Sequence, residues 1–230
     1  MNYIDNKSSG ATSNADTLIN QPAAYSTSLP PTEILKNEIE EMSRVRQRIA
    51  DHMVKSKDIS AHVYTTTEVD VTKIVETRNN KKEEYFNRHQ VKLTYTPIIV
   101  SACIKAIQEF PLMNASIDGN NIVHHQNINM GVAVALPDNN LIVPVIKSSE
   151  EMNFLGLSRN INNYAKKARS NSLAPDEIFG STFTITNPGI FGGLFGMPII
   201  NQPNVGILSV GSIEKKPVVK ETEYGDAVFI

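Results

Sequence analysis

A single cysteine, Cys103, occurs in 230 residues. That excludes an intrachain disulfide and any zinc site built on cysteine pairs, and it fits a reducing compartment. Cys103 lies in the apolar stretch from Pro97 to Ile107, so it reads as a packing residue and not as a nucleophile. An excess of one charge is also lacking. Lys and Arg number 22 against 24 Asp and Glu, the net charge is -2 and the pI is about 6.2. No overall positive field draws nucleic acid. Long apolar runs are missing too. Lys105 interrupts the best of them, far short of the roughly 18 residues that a membrane span needs. The N-terminus has no basic region followed by an apolar core, so no signal peptide is read there. Histidine is scarce: His52, His62, His89, His124 and His125 are all there are. No two share a helix face at metal-ligand spacing, and His124 and His125 in a strand would point to opposite sides, so no metal is expected. No G-x-S-x-G elbow, phosphate loop, dinucleotide fingerprint or internal repeat occurs.

What is present suits a globular protein, with 40% hydrophobic and 20% charged residues. Residues 1–36 are rich in Ser, Thr, Asn, Ala and Pro. They cannot bury enough surface to offset ordering, and they read as a flexible linker or tail ahead of a domain over 37–230. Met42, Val45, Ile49 and Met53 recur at helical spacing. Residues 61–69 alternate, with Val63, Thr65, Thr67 and Val69 on one face, which predicts a strand. Asp70 can cap a helix that follows. Thr96-Pro97 looks like a helix start, and the helix to Phe110 is apolar nearly all round, which predicts full burial. Asp118-Gly119 reads as a turn. Residues 131–136 and 141–146 flank Pro137-Asp138-Asn139-Asn140 as a hairpin. Leu157, Ile161, Tyr164, Ala165 and Ala168 mark an amphipathic helix. Strands are expected over Thr182–Thr186 and Val205–Val210. Tyr224-Gly225-Asp226 reads as a turn leading into an apolar strand from Ala227 to Ile230, and a strand that short suggests a domain incomplete at its C-terminus. Mixed strands, helices and hairpins imply an α/β sandwich with a largely mixed sheet.

Two threonines attract interest. Thr184 and Thr186 share one face of a strand that exits abruptly into Asn187-Pro188-Gly189. They are either ordinary strand residues or hydroxyls aimed into a cleft. His62 is either a packed histidine or a cleft residue. The glycine-rich connection with Gly189, Gly192, Gly193 and Gly196 is by itself a tight turn or a close backbone contact.

Seven collinear segments together carry a resemblance. They are Arg44-Val-Arg-Gln-Arg-Ile-Ala-Asp-His-Met, His62-Val with Glu68-Val-Asp, Val91-Lys-Leu-Thr, and Phe110-Pro-Leu-Met-Asn-Ala-Ser-Ile-Asp. Leu141-Ile-Val-Pro-Val-Ile and Val205-Gly-Ile-Leu-Ser-Val-Gly follow the same pattern. The seventh is Thr182-Phe-Thr-Ile-Thr-Asn-Pro-Gly-Ile-Phe-Gly-Gly, continued by Met197-Pro-Ile-Ile-Asn-Gln-Pro. Over residues 38–230 the chain resembles the catalytic domain of the dihydrolipoamide acyltransferases, the core enzymes of 2-oxo-acid dehydrogenase complexes.

The resemblance implies a sandwich like that of chloramphenicol acetyltransferase, and a homotrimer assembling into a cubic or dodecahedral core. The implied reaction passes an acyl group between dihydrolipoamide and coenzyme A. The lipoyl group arrives on a separate lipoyl domain, and the decarboxylase and dihydrolipoamide dehydrogenase components are the other partners. No metal, nucleic acid or membrane is implied, and the reading is of a bacterial cytoplasmic protein. Carried over position by position, Thr186 is the oxyanion donor, and Arg78, Thr94, Asn187 and Gly211 contact coenzyme A. From pattern alone, Arg78 could instead lie on a solvated helix face, Thr94 in a strand and Gly211 in a turn. Ala135 stands where many members carry an acidic residue. The family's general-base histidine belongs to an Asp-His-Arg-x-x-Asp-Gly motif that these residues do not include, and none of the five histidines inherits its role. The chain alone is therefore expected to be inactive. The rival expectation is a gene fragment or an assembly subunit that kept the fold and lost catalysis. Acetyl, succinyl and branched-chain acyl groups all remain open, with threonine at 186 tilting towards succinyl.

Overall fold

A computed structural model describes residues 38–137 and 140–229. The linker expected over 1–36, the hairpin tip at Asp138 and Asn139, and Ile230 lie outside the described residues. The chain divides into two units, Met1–Glu41 and Met42–Ile230. Of the first, residues 38–41 are described, and they are exposed and without helix or strand.

Helix α1 (Arg44–Ile59) starts where the Ser43 hydroxyl accepts a hydrogen bond from Arg46 N–H at 3.3 Å. Ser56 is its buried residue. The strand expected over 61–69 is absent. Among the described residues no neighbouring strand offers this segment a ladder, and Val63 and Val69 stay exposed. Alternation alone does not make a strand when there is no partner. Helix α2 (Thr72–His89) begins one residue later than a cap at Asp70 would place it. Asp70 Oδ1 nevertheless accepts from Thr72 N–H at 2.9 Å and from the Thr72 hydroxyl at 2.6 Å. Helix α3 (Tyr95–Glu109) starts after Thr94, not at Thr96, with Pro97 inside its first turn, where a missing N–H costs nothing. Only one stripe of it, Pro97, Val100, Ile104 and Ile107, is buried, so full burial is not realised.

Strands β1 (Ala115–Asp118) and β2 (Asn121–His124) form the expected hairpin, turning at Gly119 with φ +57°. The next hairpin is broken into two pairs. Strands β3 (Met130–Val132) and β4 (Val134–Ala135) run out; β5 (Leu141–Ile142) and β6 (Val145–Ile146) run back. The amphipathic helix is α4 (Phe154–Arg169), capped by Asn153. Strands β7 (Phe183–Thr186) and β8 (Ile207–Ser209) fall where expected. At the end, β9 (Val218–Thr222), which the pattern did not announce, pairs antiparallel with β10 (Gly225–Phe229), whose start takes in the predicted turn.

The central sheet has the order β6-β3-β7-β8. The β6–β3 pair is antiparallel and the β3–β7 and β7–β8 pairs are parallel, so the sheet is mixed. Helices α3 and α4 cover one of its faces. There Val100, Ile104, Leu157 and Ile161 meet Met130, Ile146, Phe183 and Ile185 in a single core cluster. Cys103 packs against that cluster, and burial pushes its thiol up to about 11, which agrees with a packing role.

Candidate functional site

Strand β7 divides two environments. Side chains alternate along a strand, so Ile185 enters the apolar core while Thr184 and Thr186 face the other way. Registered neighbours share a face: Gly131 and Ile207 beside Thr184, and Ser209 beside Thr186. This second face is polar. Thr184 is 1% exposed and its hydroxyl donates to Asn204 Oδ1 at 2.7 Å. Thr186, at the strand's end, is half-buried, and its carbonyl accepts from Val210 N–H at 2.9 Å. The hydroxyl of Ser209 is buried without a hydrogen-bond partner among the described residues.

The glycine-rich connection folds back over this strand end. Pro188–Phe191 makes a single turn, closed at Gly192 with φ +81°. Gly189 N–H donates to Val210 O at 3.2 Å, and Ser212 N–H donates to Gly193 O at 2.9 Å. Contact is so close that a Cβ on Gly211 would lie 1.9 Å from Leu194 O, and one on Gly189 would lie 2.3 Å from Gly211 O. Of the two readings of the glycine-rich connection, close contact holds for Gly189 and the tight turn for Gly192. The loop leaves Ile190, Phe191, Leu194, Phe195 and Met197 exposed.

Asn187 points to the helix side. It lines a cavity of about 180 Å³ with Thr96, Ala135, Tyr164, Arg169 and Ile185. Its Oδ1 is buried there and accepts no hydrogen bond from the described residues. A second cavity of about 400 Å³ lies among Lys147, Tyr164, Asp176, Glu177, Phe179 and Gly180. Burial, and then the neighbouring Glu177 carboxylate, push the Tyr164 phenol up. Thr186 lines neither of these two cavities, and alternation along β7 turns its side chain to the face opposite Ile185.

The other expected site residues form a separate group. Arg78 Nε donates to Leu93 O at 3.1 Å, and the guanidinium lies 5.1 Å over the Tyr95 ring. This arginine is thus fixed against the start of α3 and is not loose on a solvated face. Thr94 occupies the cap position of α3, though its side chain makes no capping bond. Thr96, one residue past Tyr95, shares the smaller cavity with Asn187, and this is how the two groups approach each other. His62 is not free to line a cleft. Its Nε2 accepts from Ile200 N–H at 3.0 Å. Among the described residues no group of three His, Cys, Asp or Glu could hold a metal ion, and no helix is long and apolar enough to cross a membrane.

Sequence reading missed Ser56, Ser181, Asn201, Gln202 and Asn204, which build the polar packing behind β7. The available signal was the polar run Asn201-Gln202-Pro203-Asn204, which falls between two apolar stretches.

Residues 35–229 match the family described as 2-oxoacid dehydrogenases acyltransferase (catalytic domain). The chain is 39% identical over 186 residues to the dihydrolipoyllysine-residue succinyltransferase component of the 2-oxoglutarate dehydrogenase complex of Bacillus subtilis, covering 81% of this chain and 44% of that protein. The mitochondrial human counterpart is 42% identical over 181 residues, covering 78% of this chain and 40% of that one. The chain thus spans less than half the length of these relatives. Among solved structures, a probable dihydrolipoamide acetyltransferase from Listeria monocytogenes superposes with a TM-score of 0.79 at 38% identity, covering 84% of this chain and 81% of that one. The cubic core of a pyruvate dehydrogenase multienzyme complex gives 0.76 at 31% identity, with coverages of 87% and 83%.

Proposed function

Since the chain belongs to the 2-oxoacid dehydrogenase acyltransferase (catalytic domain) family, we propose that it passes an acyl group between dihydrolipoamide and coenzyme A. The observation that carries this reading is the match across β7, with Thr186 at the end of a strand whose backbone is tied to Val210 and covered by the glycine-rich loop. In thioester exchange the attacking thiol gives up its proton and its sulfur adds to the acyl carbonyl. The carbonyl oxygen becomes an oxyanion, the donor's C–S bond breaks, and the leaving thiolate takes up a proton. Thr186 would donate its hydroxyl to that oxyanion, and losing one such donor costs about 2.7–4 kcal/mol. None of the five histidines stands in the motif of the family's general base, so the role is assigned to none of them.

Coenzyme A suits the chemistry of the second group. Asn187 Oδ1, buried without a donor, suits an amide N–H of the pantetheine arm. Arg78 offers guanidinium donors to phosphate or carbonyl oxygens and Thr94 a hydroxyl free of capping duty; Gly211 lies apart from them, packed against Leu194 O under the glycine-rich loop, and would offer its main chain alone. On this reading residues 37–230 form the catalytic domain and 1–36 a linker. Homotrimers build a larger core in the bacterial cytoplasm, served by a lipoyl domain and by the decarboxylase and dihydrolipoamide dehydrogenase components. Our reading of the acyl group is succinyl, supported by the 2-oxoglutarate complex component that recurs among the relatives, with acetyl, as in the structure from Listeria monocytogenes, the alternative.

The test replaces Thr186 by alanine in the assembled protein and assays acetyl, succinyl and branched-chain donors. Turnover should fall about 10²–10³-fold, with the affinity for coenzyme A little changed. Weaker binding at unchanged turnover would remove the oxyanion role. A second reading is an assembly subunit of the same fold without catalysis, since none of the five histidines stands in the motif of the family's base. Coenzyme A binding without turnover for any donor would favour it.

A further inference from the structure

The polar face of β7 is gripped by groups for which the proposed chemistry has no use. Asn204, 3% exposed, accepts from the Thr184 hydroxyl at 2.7 Å and donates through Nδ2 to Ser181 O at 2.6 Å. Asn201 Nδ2 donates to the Ser181 hydroxyl at 3.2 Å and to Thr184 Oγ1 at 3.4 Å. Both the proton and a lone pair of Thr184 are therefore committed. A Cβ on Gly131 would come within 3.0 Å of the same oxygen, so the bare β3 backbone leaves the hydroxyl its room.

The far end of the same turn is tied to Ser56 of α1 and to Ser60 and His62 just after it. Ile200 N–H donates to His62 Nε2 at 3.0 Å, while the Ser56 hydroxyl donates to Ile200 O at 2.6 Å. Gln202 Nε2 donates to the Ser56 hydroxyl at 3.1 Å and to the Ser60 hydroxyl at 2.6 Å. Two groups of hydrogen bonds, one from α1 and the residues just after it to Ile200 and Gln202 and one from Asn201 and Asn204 to β7, are thus joined by the short main chain of residues 200–204. The second group ends two residues before Thr186 on the same face, roughly 6–7 Å away along the strand.

We propose that Thr184 and Asn204 are positioning residues for the Thr186 hydroxyl, and that the Ile200–Asn204 turn carries the seating of α1 to that strand end. This rests on the reading of Thr186 as oxyanion donor. Such a donor must be held within about 0.5 Å of its productive place, by neighbours that are themselves fixed. Thr186 has no side-chain anchor of its own among the hydrogen bonds described, so the backbone must supply the precision. Pinning Thr184 at both its proton and its lone pair removes the rocking of β7 about its axis, the motion that would move Thr186 most.

Thr184→Val, Thr184→Ser and Asn201→Ala in the full protein test this with two readouts. Amide exchange reports the Val210 N–H bond to Thr186 O, and steady-state kinetics separate kcat from KM for coenzyme A. Thr184→Val should speed exchange at Val210 about tenfold, the equivalent of one ordinary buried hydrogen bond. It should leave the Ile104 amide inside α3 unchanged and lower kcat more than it raises KM. Thr184→Ser, which keeps the hydroxyl, should restore both. Equal acceleration at Ile104, or no change in either readout, overturns the proposal. If Thr184→Val does not fold, Asn201→Ala decides: a smaller acceleration confined to Val210 is expected, and none overturns it. An unsubstituted protein without acyl transfer removes the functional reading alone, and the exchange readout still decides the positioning.

Discussion

At Gly211 the main chain leaves no space for a carbon atom, because Leu194 O would stand 1.9 Å from it. Gly211→Ala should therefore push the glycine-rich loop off Val210 and Ser212. The expected loss is about 1–3 kcal/mol, the usual range for overpacking, and urea denaturation at constant m would measure it. A loss below half of that would mean that the loop shifts freely. Cys103 gives an opposite kind of test. With its thiol pushed up to about 11 by burial, less than about one molecule in a thousand carries a thiolate near pH 7.5. Alkylation should be slow in the native protein and rapid in denaturant; equal rates would contradict the packing role. The sequence placed this cysteine correctly because an apolar run surrounds it. Asn204 and Ser56 were out of its reach. Their partners lie 20 and 144 positions away, and nothing local marks a polar side chain as buried.

Element by element, local periodicity was a good guide where the burying partner lay close in sequence. Helix α4 and the β1–β2 hairpin show this, since one face or one turn residue decides each. It failed for residues 61–69, where alternation met no adjoining strand among the described residues and the contacts are side-chain ones, Ile200 N–H to His62 Nε2 at 3.0 Å and Lys216 to Glu68 at 2.5 Å. It missed β9 because Lys220, Glu221 and Thr222 hide a strand whose partner among the described residues is the next one. An ion pair of the same kind fastens the end of α4. Lys167 Nζ lies 2.6 Å from Glu177 Oε1, and Glu177 Oε2 accepts from Ala174 N–H at 2.8 Å. The hydrogen bond from Lys167, and then that from Ala174, hold the Glu177 carboxyl below its usual range, while Glu177 raises Lys167. A lowered carboxylate contributes stability above its unfolded value and loses it as pH falls through the folded one. A raised ammonium contributes fully below its unfolded value and loses it as pH rises through the folded one. Glu177→Gln should therefore melt lower than the parent at neutral pH. The gap should close as the solution is acidified below about pH 4, where unfolded and then folded carboxyls protonate. A gap independent of pH would mean that the pair contributes through shape and not through charge.

For the whole molecule, the balance of covered and uncovered surface matters most. One sheet face is closed by α3 and α4 around Met130, which is wholly buried, so Met130→Ala should cost about 2–5 kcal/mol. Helix α1 is different. Met42 beside it is 51% exposed, and on the helix Val45 is 64% and Ile49 38% exposed. These residues recur at helical spacing, and a stripe of that kind normally lies against another element. Val63 and Val69 in the following segment, and Val218, Val219, Val228 and Phe229 of the β9–β10 hairpin, are exposed as well. Apolar surface spread over this many positions marks contact with other protein. The protein should therefore not sediment at 25.4 kDa at micromolar concentration, and the trimer proposed above should appear at three times that mass. Val45→Lys with Ile49→Lys places two charges on the α1 stripe without touching Ser56 or the turn it holds. The double variant should shift the distribution towards the single-chain mass while its circular dichroism is unchanged. Unsubstituted protein that stays at 25.4 kDa up to about 100 µM, a concentration at which an interface of ordinary size with micromolar affinity is saturated, would show that these apolar residues tolerate water and that the helix stripe calls for no neighbour.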